Sequence, residues 1–206
     1  MKHWGKSAVI MLAVAVAMLF CACQNTRQDS AVAVIGGADG ARRVEKDFGT
    51  YEVLDGFIED AVHSRQQAGK WFYVSQADEK KIARSQKQFV NNILVKKGSC
   101  PYSVEEHEAF RRAILSQLMM QMDFFATRVA NYEAGEVTGG GSFTDAGDIF
   151  YTFTSNYKID GIAETTTQHY IVGNQKFVLV LETVRGDSEE TDRAALCIAE
   201  SFRWAD

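Results

Sequence analysis

The sequence lacks an apolar segment long enough to hold a protein across a bilayer, and it has a single proline and no excess of basic charge. Its apolar run from Ala8 to Phe20 is short, whereas a membrane-spanning helix needs about 20 apolar residues. Lysine and arginine number 22 and aspartate and glutamate 27, for a net charge of −5. Because nucleic-acid binding requires a basic surface, this balance argues against that function. The composition, 46% hydrophobic, predicts a folded domain rather than a disordered chain.

Motifs for catalysis and for metal binding are also missing. His63, His107 and His169 are far apart in the sequence and show no metal-ligand spacing. Glu164 and His169 are five positions apart on one predicted strand, an odd spacing, so their side chains should point to opposite faces. No nucleophile motif such as Gly-x-Ser-x-Gly is present. We therefore predict no catalytic residue, no metal site and no cofactor.

The first residues have the order of a secretory signal. Lys2 and Lys6 precede the apolar run, and small residues follow it at a candidate cleavage site. The cysteine that ends this segment resembles the lipobox of bacterial lipoproteins. That resemblance implies that the cysteine is acylated and becomes the first residue of the mature chain.

Cys23 is the predicted lipidation site. Ala22 gives it the small preceding residue that the lipoprotein pattern favours, whereas Cys21 would require cleavage after the bulky Phe20. An ordinary secretory signal, with Cys23 left as a free thiol, is the alternative. The resemblance implies an extracytoplasmic protein anchored in the cell membrane by its N-terminal lipid, or on the periplasmic side of an outer membrane.

Three segments are predicted along the chain. Residues 1–22 form the signal peptide, residues 23–43 the lipidated cysteine, a polar tether and a glycine-rich turn, and residues 44–206 one α+β domain. Two cysteines, Cys100 and Cys197, lie in this domain. An extracytoplasmic location permits a disulfide between them, and two separately buried thiols are the alternative.

A long helix is the clearest local prediction. Ser103 and Glu106 form a capping box, with apolar residues at helical spacing after it, which predicts a helix from about 104 to 127. Its predicted apolar face consists of Phe110, Ile114, Leu118, Met122 and Phe125. A closing helix over about 188–203 should present Ala195, Leu196, Ala199 and Phe202 to the sheet.

Segments rich in β-branched and aromatic residues predict an antiparallel sheet of about five to six strands. The predicted strands are 49–58, 71–74, 89–95, 148–154, 159 to 169 or 171, and 176–184. The stretch 78–88 reads as a loop or a short helix. The strand at 176–184 is apolar on both faces, so both should be covered. Glycines 139–141 predict a loop, and Gly173 with Asn174 predicts a tight hairpin turn.

This order of elements, with both helices packed on the sheet, resembles the PsbP-like fold. The resemblance is carried by residues 89–95, Phe110, Leu118, residues 170–177 and residues 198–202. It implies a binding or assembly module without a shared active site, and hence a protein partner. We therefore expect a lipid-anchored extracytoplasmic binding or assembly protein. An envelope small-ligand receptor or enzyme, recognised by an enclosed pocket, is the alternative.

Overall fold

The computed structural model describes residues 35–36, 40–84, 89–186 and 189–205. The predicted signal peptide, Cys23 and the tether lie outside these residues, as does most of the glycine-rich turn. Within the described ranges, no helix is both long enough and apolar enough to cross a membrane.

The fold is α+β with antiparallel sheets, as the sequence predicts, but it contains more strands than expected. The strands are β1 (Ile35–Gly36), β2 (Ala41–Lys46), β3 (Gly49–Leu54), β4 (Phe57–Glu59), β5 (Lys70–Ser75), β6 (Asn92–Ser99), β7 (Tyr132–Phe143), β8 (Ile149–Ile159), β9 (Ile162–Gly173), β10 (Lys176–Arg185) and β11 (Arg203–Trp204). Seven of them form one sheet in the order β4-β5-β6-β10-β9-β8-β7, and the other four form a sheet in the order β1-β2-β3-β11.

Four α-helices accompany the strands in the described part of the chain. They are α1 (Ala61–Gln66), α2 (Gln76–Arg84), α3 (His107–Arg128) and α4 (Glu189–Glu200), with a 3₁₀ turn at Val104–Glu106 before α3. The capping box holds the start of α3, where the backbone N–H of Ser103 donates to the Glu106 carboxylate over 3.0 Å. The charged stretch after residue 76 is therefore a helix where it is described.

The large sheet is covered on both sides, as predicted from the apolar pattern of β10. Helix α4 and the small sheet pack against one side, which we call the closed face; Val178, Val180 and Ile171 belong to it. Helix α3 packs against the other side, which we call the open face; Leu179 and Tyr170 belong to it. Strand β10 lies at the centre of the sheet, and its alternate side chains enter the two separate cores.

The predicted loop at glycines 139–141 is wrong, because these glycines lie inside β7. Gly139 pairs with Phe153 and Gly141 with Tyr151 across the two strands. A Cβ atom at Gly139 would lie 2.8 Å from the Phe153 ring, and one at Gly141 would lie 3.0 Å from the Tyr151 ring. The glycines thus make room for aromatic rings on the neighbouring strand, a use of glycine within strands that a turn-based reading misses.

Two other predictions need correction. The predicted strand 49–58 is two strands, because Asp55 and Gly56 form a turn in which Gly56 has a φ of 93°. On α4, Leu196 is exposed and does not face the sheet, whereas Ala195, Ala199 and the following Phe202 are buried as predicted. Ala194 and Ile198 complete the buried side of that helix.

Candidate functional site

A cavity of about 480 Å³ separates α3 from the open face of the large sheet. Helix α3 contributes mainly apolar side chains to its lining, including Ile114, Leu118, Met122 and Phe125, together with Gln117 and Gln121. Along the 22 residues of this helix, the buried side chains are Phe110, Leu118 and Met122. The helix therefore contacts the sheet through a few large side chains, and a space remains between the helix and the sheet.

Aromatic rings close the end of the cavity that lies beneath the N-terminus of α3. The ring of Phe110 lies 5.7 Å from the rings of both Tyr170 and Phe177, which are themselves 5.4 Å apart. Tilted and edge-on contacts at such distances stabilise aromatic clusters. This cluster fixes the start of α3 on the sheet, so the open space lies towards the C-terminal half of the helix.

Strand pairing brings polar side chains together on the sheet beneath that half of α3. Tyr157, Glu164 and Arg185 are directly paired across β8, β9 and β10. The next row towards the aromatic cluster consists of Ser155, Thr166, Thr183 and Asn92. We call these seven residues the polar floor; all seven line the cavity. One wall of the cavity is thus mainly apolar, and part of the opposite wall can form hydrogen bonds.

An ion pair lies at the outer row of the polar floor. The guanidinium of Arg185 donates to Glu164 Oε1 from Nε over 2.8 Å, and its Nη2 lies 2.6 Å from the same oxygen. The Glu164 side chain is almost fully buried, and the Arg185 guanidinium also lies 4.1 Å from the centre of the Phe89 ring. The two charges compensate each other, so this row carries no net charge.

The phenol of Tyr157 links the two rows. Its hydroxyl lies 3.1 Å from Thr166 Oγ1. Burial, partly offset by the bond to Thr166 and reinforced by the nearby Glu164 carboxylate, raises the pKa of Tyr157 to about 12. Tyr157 is therefore neutral at physiological pH and can donate or accept a hydrogen bond in the cavity.

Ser155 has an unused hydrogen-bonding group in this site. The residue is 6% exposed, and its hydroxyl has no hydrogen-bond partner among the described residues. A buried hydroxyl without a partner costs stability, and such groups are rare in folded proteins. Its position in the cavity lining makes it a candidate ligand contact.

A second group of buried titratable residues lies on the closed face. Burial and a hydrogen bond with Asp192 raise the pKa of Glu182 to about 9. Burial lowers the pKa of His169 to about 4, although Asp192 opposes the shift, and His169 Nδ1 lies 2.8 Å from Thr152 Oγ1. Both groups are buried and held in their neutral forms, and neither lines the cavity under α3.

The residues considered in the sequence are widely separated. Glu164 faces the cavity and His169 the closed face, as the odd spacing predicts. His107 bonds to the Tyr151 hydroxyl over 2.7 Å, and His63 pairs with Asp60. No group of three or more histidine, cysteine, aspartate or glutamate residues in the described ranges is arranged to hold a metal ion.

The two body cysteines are free thiols. Cys100 packs against the core of the open face, whereas Cys197 on α4 donates to the Glu52 carbonyl oxygen on the opposite side of the large sheet. The sheet separates them, so the disulfide considered from the sequence is not formed in this structure. Burial raises the pKa of both thiols, that of Cys197 to about 11, so neither is a reactive thiolate at neutral pH.

Of the polar floor, the sequence reading singled out Glu164 alone. The missed signal is a polar segment within a strand: residues 164–169 are polar at every position, so the sequence does not show which of them share the cavity face. Alternate residues share one face of a sheet. Arg185 carries no such signal, because it ends a mainly apolar strand and joins the floor only through strand pairing.

No family model and no curated protein matches this sequence. Among solved structures, the chain is similar to the Ran-binding protein Mog1p of Saccharomyces cerevisiae, with 16% sequence identity and a TM-score of 0.42, over 79% of this chain and 94% of that one. A mutant of protein Mog1 gives 17% identity and a TM-score of 0.42, over 81% of this chain and 96% of that chain. Similarity at this level carries no argument about function.

Proposed function

We propose that this chain is a lipid-anchored, extracytoplasmic binding protein of a bacterial envelope, and that it binds a small amphipathic ligand between α3 and the large sheet. The observation that carries the proposal is the cavity of about 480 Å³, with a mainly apolar helix on one side and the polar floor on the other. Ligand pockets in proteins typically have volumes of about 300–1,000 Å³ and combine apolar walls with a few convergent polar groups. Of the two functions expected from the sequence, the cavity favours the small-ligand receptor.

The anchoring part of the proposal rests on the sequence before residue 24. Acylation at Cys23 would place the binding domain on the outer side of the membrane and hold it there through several acyl chains, which gives stable attachment. We expect Cys23→Ser to abolish incorporation of labelled palmitate and to release the chain from membranes. Cys21→Ser is the matched control and should retain both palmitate labelling and membrane attachment. Labelling that follows Cys21 instead would overturn the assignment.

Ligand binding can be tested with a minimal amphiphile and a variant that fills the cavity. The full chain in lipid nanodiscs should give a saturation-transfer NMR signal with hexan-1-ol above that of empty nanodiscs. Ala113→Trp places an indole where Ala113 lines the cavity and should abolish the signal. Ala126→Trp, at an exposed position of the same helix, should retain it. Equal signals from the two variants would contradict the proposal.

A surface feature favours a second candidate, the protein-binding role implied by the PsbP-like resemblance. On α3, Met119, Met120 and Phe124 are exposed by 56%, 59% and 51%, although Met120 also borders the cavity. Exposed clusters of large apolar residues often mark contacts with other proteins. A photo-crosslinking residue at position 124 should then capture an envelope protein with an apolar contact surface, and one at exposed Arg112 should not. Absence of a discrete product at position 124 would count against this candidate.

A further inference from the structure

We infer that the ligand of this cavity is an amphiphile with an uncharged, hydroxylated head group, as in sugars and polyols, and a short apolar part. The head group lies on the polar floor. This inference rests on the proposed function, because it assigns a chemical class to the occupant of the same cavity. It follows from the hydrogen-bonding groups of the floor, their charge and the apolar surfaces around them.

The floor offers mainly hydroxyl and amide groups. Ser155, Thr166 and Thr183 contribute aliphatic hydroxyls, Asn92 an amide and Tyr157 a phenol. Hydroxyl groups both donate and accept, so such a surface matches a ligand whose own groups do the same. The unpartnered hydroxyl of Ser155, 6% exposed and part of the lining, provides a contact that the protein itself does not satisfy. A hydroxylated head group on the floor would supply the missing partner.

Charge within the floor disfavours an ionic head group. Its two charged residues, Glu164 and Arg185, are paired over 2.6 Å and bring no net charge. An anionic head would have to compete with Glu164 for the guanidinium, and a cationic one with Arg185 for a nearly buried carboxylate. Breaking such a pair leaves a buried charge uncompensated, which is strongly unfavourable. A neutral head group leaves the pair intact.

Another charged residue of the lining, Lys96, lies away from the polar floor. It is in the row of Leu179 and Tyr170, two rows from Asn92 along β6. Leu94 and Leu181 occupy the row between them. The ammonium is therefore separated from the head-group position by apolar side chains, and Lys96 already has an interaction within the protein.

The apolar part of the ligand has a defined place beside the floor. The row next to Thr166 and Thr183 contains Leu94 and Leu181, and Leu118 and Met122 of α3 line the same cavity. A chain of a few methylene groups can bury its surface there, at about 0.8 kcal/mol for each CH₂ group removed from water. The rows therefore orient the ligand along the strands, with its hydroxyl groups over the row of Ser155 and Thr166 and its apolar chain over the row of Leu94 and Leu181, towards the aromatic cluster.

A series of hexyl compounds tests the head group. Hexyl β-D-glucoside, hexan-1-ol, hexanoate and hexylammonium share one apolar chain, and each is titrated below its micelle concentration against the full chain in lipid nanodiscs, with empty nanodiscs subtracted. We expect the glucoside to bind at least tenfold more tightly than hexanoate and hexylammonium, and more tightly than hexan-1-ol. Ser155→Ala should lower the glucoside affinity by about three- to tenfold, the range expected for one hydrogen bond, and change hexan-1-ol binding by less. Thr154→Val, which alters the adjacent side chain on the opposite face of β8, should leave the glucoside affinity unchanged.

The possible results separate the inference from the proposed function. If hexan-1-ol binds and Ala113→Trp abolishes that binding, but hexanoate or hexylammonium binds as tightly as the glucoside, the head-group inference is overturned and the binding function stands. If the glucoside binds tightest but Ser155→Ala has no effect, its assigned position on the floor is overturned. If none of the four compounds binds, both proposals fail.

Discussion

The two faces of the large sheet are covered by helices that pack in different ways. On the closed face, α4 buries Ala194, Ala195, Ile198 and Ala199 completely. Small alanine side chains let this helix approach the strands closely. On the open face, α3 rests on Phe110, Leu118 and Met122, and about 480 Å³ of space lies between helix and sheet. Protein interiors are normally close-packed, so the space on the open face fits the proposed ligand-binding role, whereas the buried residues of the closed face stabilise the fold.

The largest expected difference between the faces comes from truncating one isoleucine on each helix. Ile198→Ala removes a fully buried side chain from the closed face and should cost about 4 kcal/mol of unfolding free energy, within the range for such truncations. Ile114→Ala, at a half-buried position beside the cavity, should cost about 1 kcal/mol because its side chain has fewer packed neighbours to lose. Urea unfolding of the two variants measures both values. Equal costs would mean that the faces do not differ in packing.

Enlarging an alanine on each helix tests the same contrast in the opposite direction. Ala195→Leu adds atoms at a fully buried position and should cost about 2 kcal/mol, because overpacking forces side chains out of their preferred rotamers. Ala113→Leu places a larger side chain in the cavity and should change the free energy of unfolding by less than about 0.5 kcal/mol. Thermal unfolding of the two variants beside the wild type measures the difference. A similar loss of stability at Ala113 would show that the cavity cannot accept added volume.

The closed face should also make stability depend on pH. The pKa of Glu182 is raised to about 9 by burial and by Asp192, so the folded protein retains a proton that the unfolded chain, with a carboxyl pKa near 4.5, has lost. The stability contributed by the neutral carboxyl is present at low pH and is lost as the pH rises towards 9. The slope approaches about 1.4 kcal/mol per pH unit for one proton.

Glu182→Gln should remove this pH dependence, because an amide does not titrate. Unfolding free energies between pH 7 and 8 measure it, a window above the range in which His169, with a pKa of about 4 when folded, affects stability and below that of the two buried thiols, whose pKa is raised by burial. Glu189→Gln, at an exposed glutamate on the first turn of α4, is the control and should leave the slope unchanged. A wild-type slope that survives in Glu182→Gln would contradict the assignment.

The sequence predicts the local features of this fold better than the long-range ones. The capping box at Ser103 marked the start of the long helix, and the apolar pattern of β10 indicated a covered, central strand. The glycines of β7 were misread because their role depends on Phe153 and Tyr151 of the next strand. Such cross-strand contacts depend on register, which local propensity does not determine.

The same limit explains why the candidate site was missed. The polar floor collects residues from β6, β8, β9 and β10, which span almost a hundred positions, and strand register alone makes them neighbours. The cavity above them depends on how far α3 stands from the sheet. That separation is set by which of its large side chains touch the strands, and the helical pattern does not specify it.

The smallest expected effects come from two substitutions on opposite faces of strand β8, which should change the free energy of unfolding in opposite directions. Ser155 and Thr152 both lie on β8, but Ser155 faces the cavity without a hydrogen-bond partner in the described structure, whereas Thr152 Oγ1 lies 2.8 Å from His169 Nδ1 on the closed face. Ser155→Ala should raise the free energy of unfolding by about 1 kcal/mol, because it removes an unsatisfied buried hydroxyl. Thr152→Val should lower it by about 1 kcal/mol, because it leaves the buried histidine without that partner. Urea unfolding of the ligand-free protein measures both changes. A loss of stability in Ser155→Ala would mean that this hydroxyl serves the fold rather than a ligand.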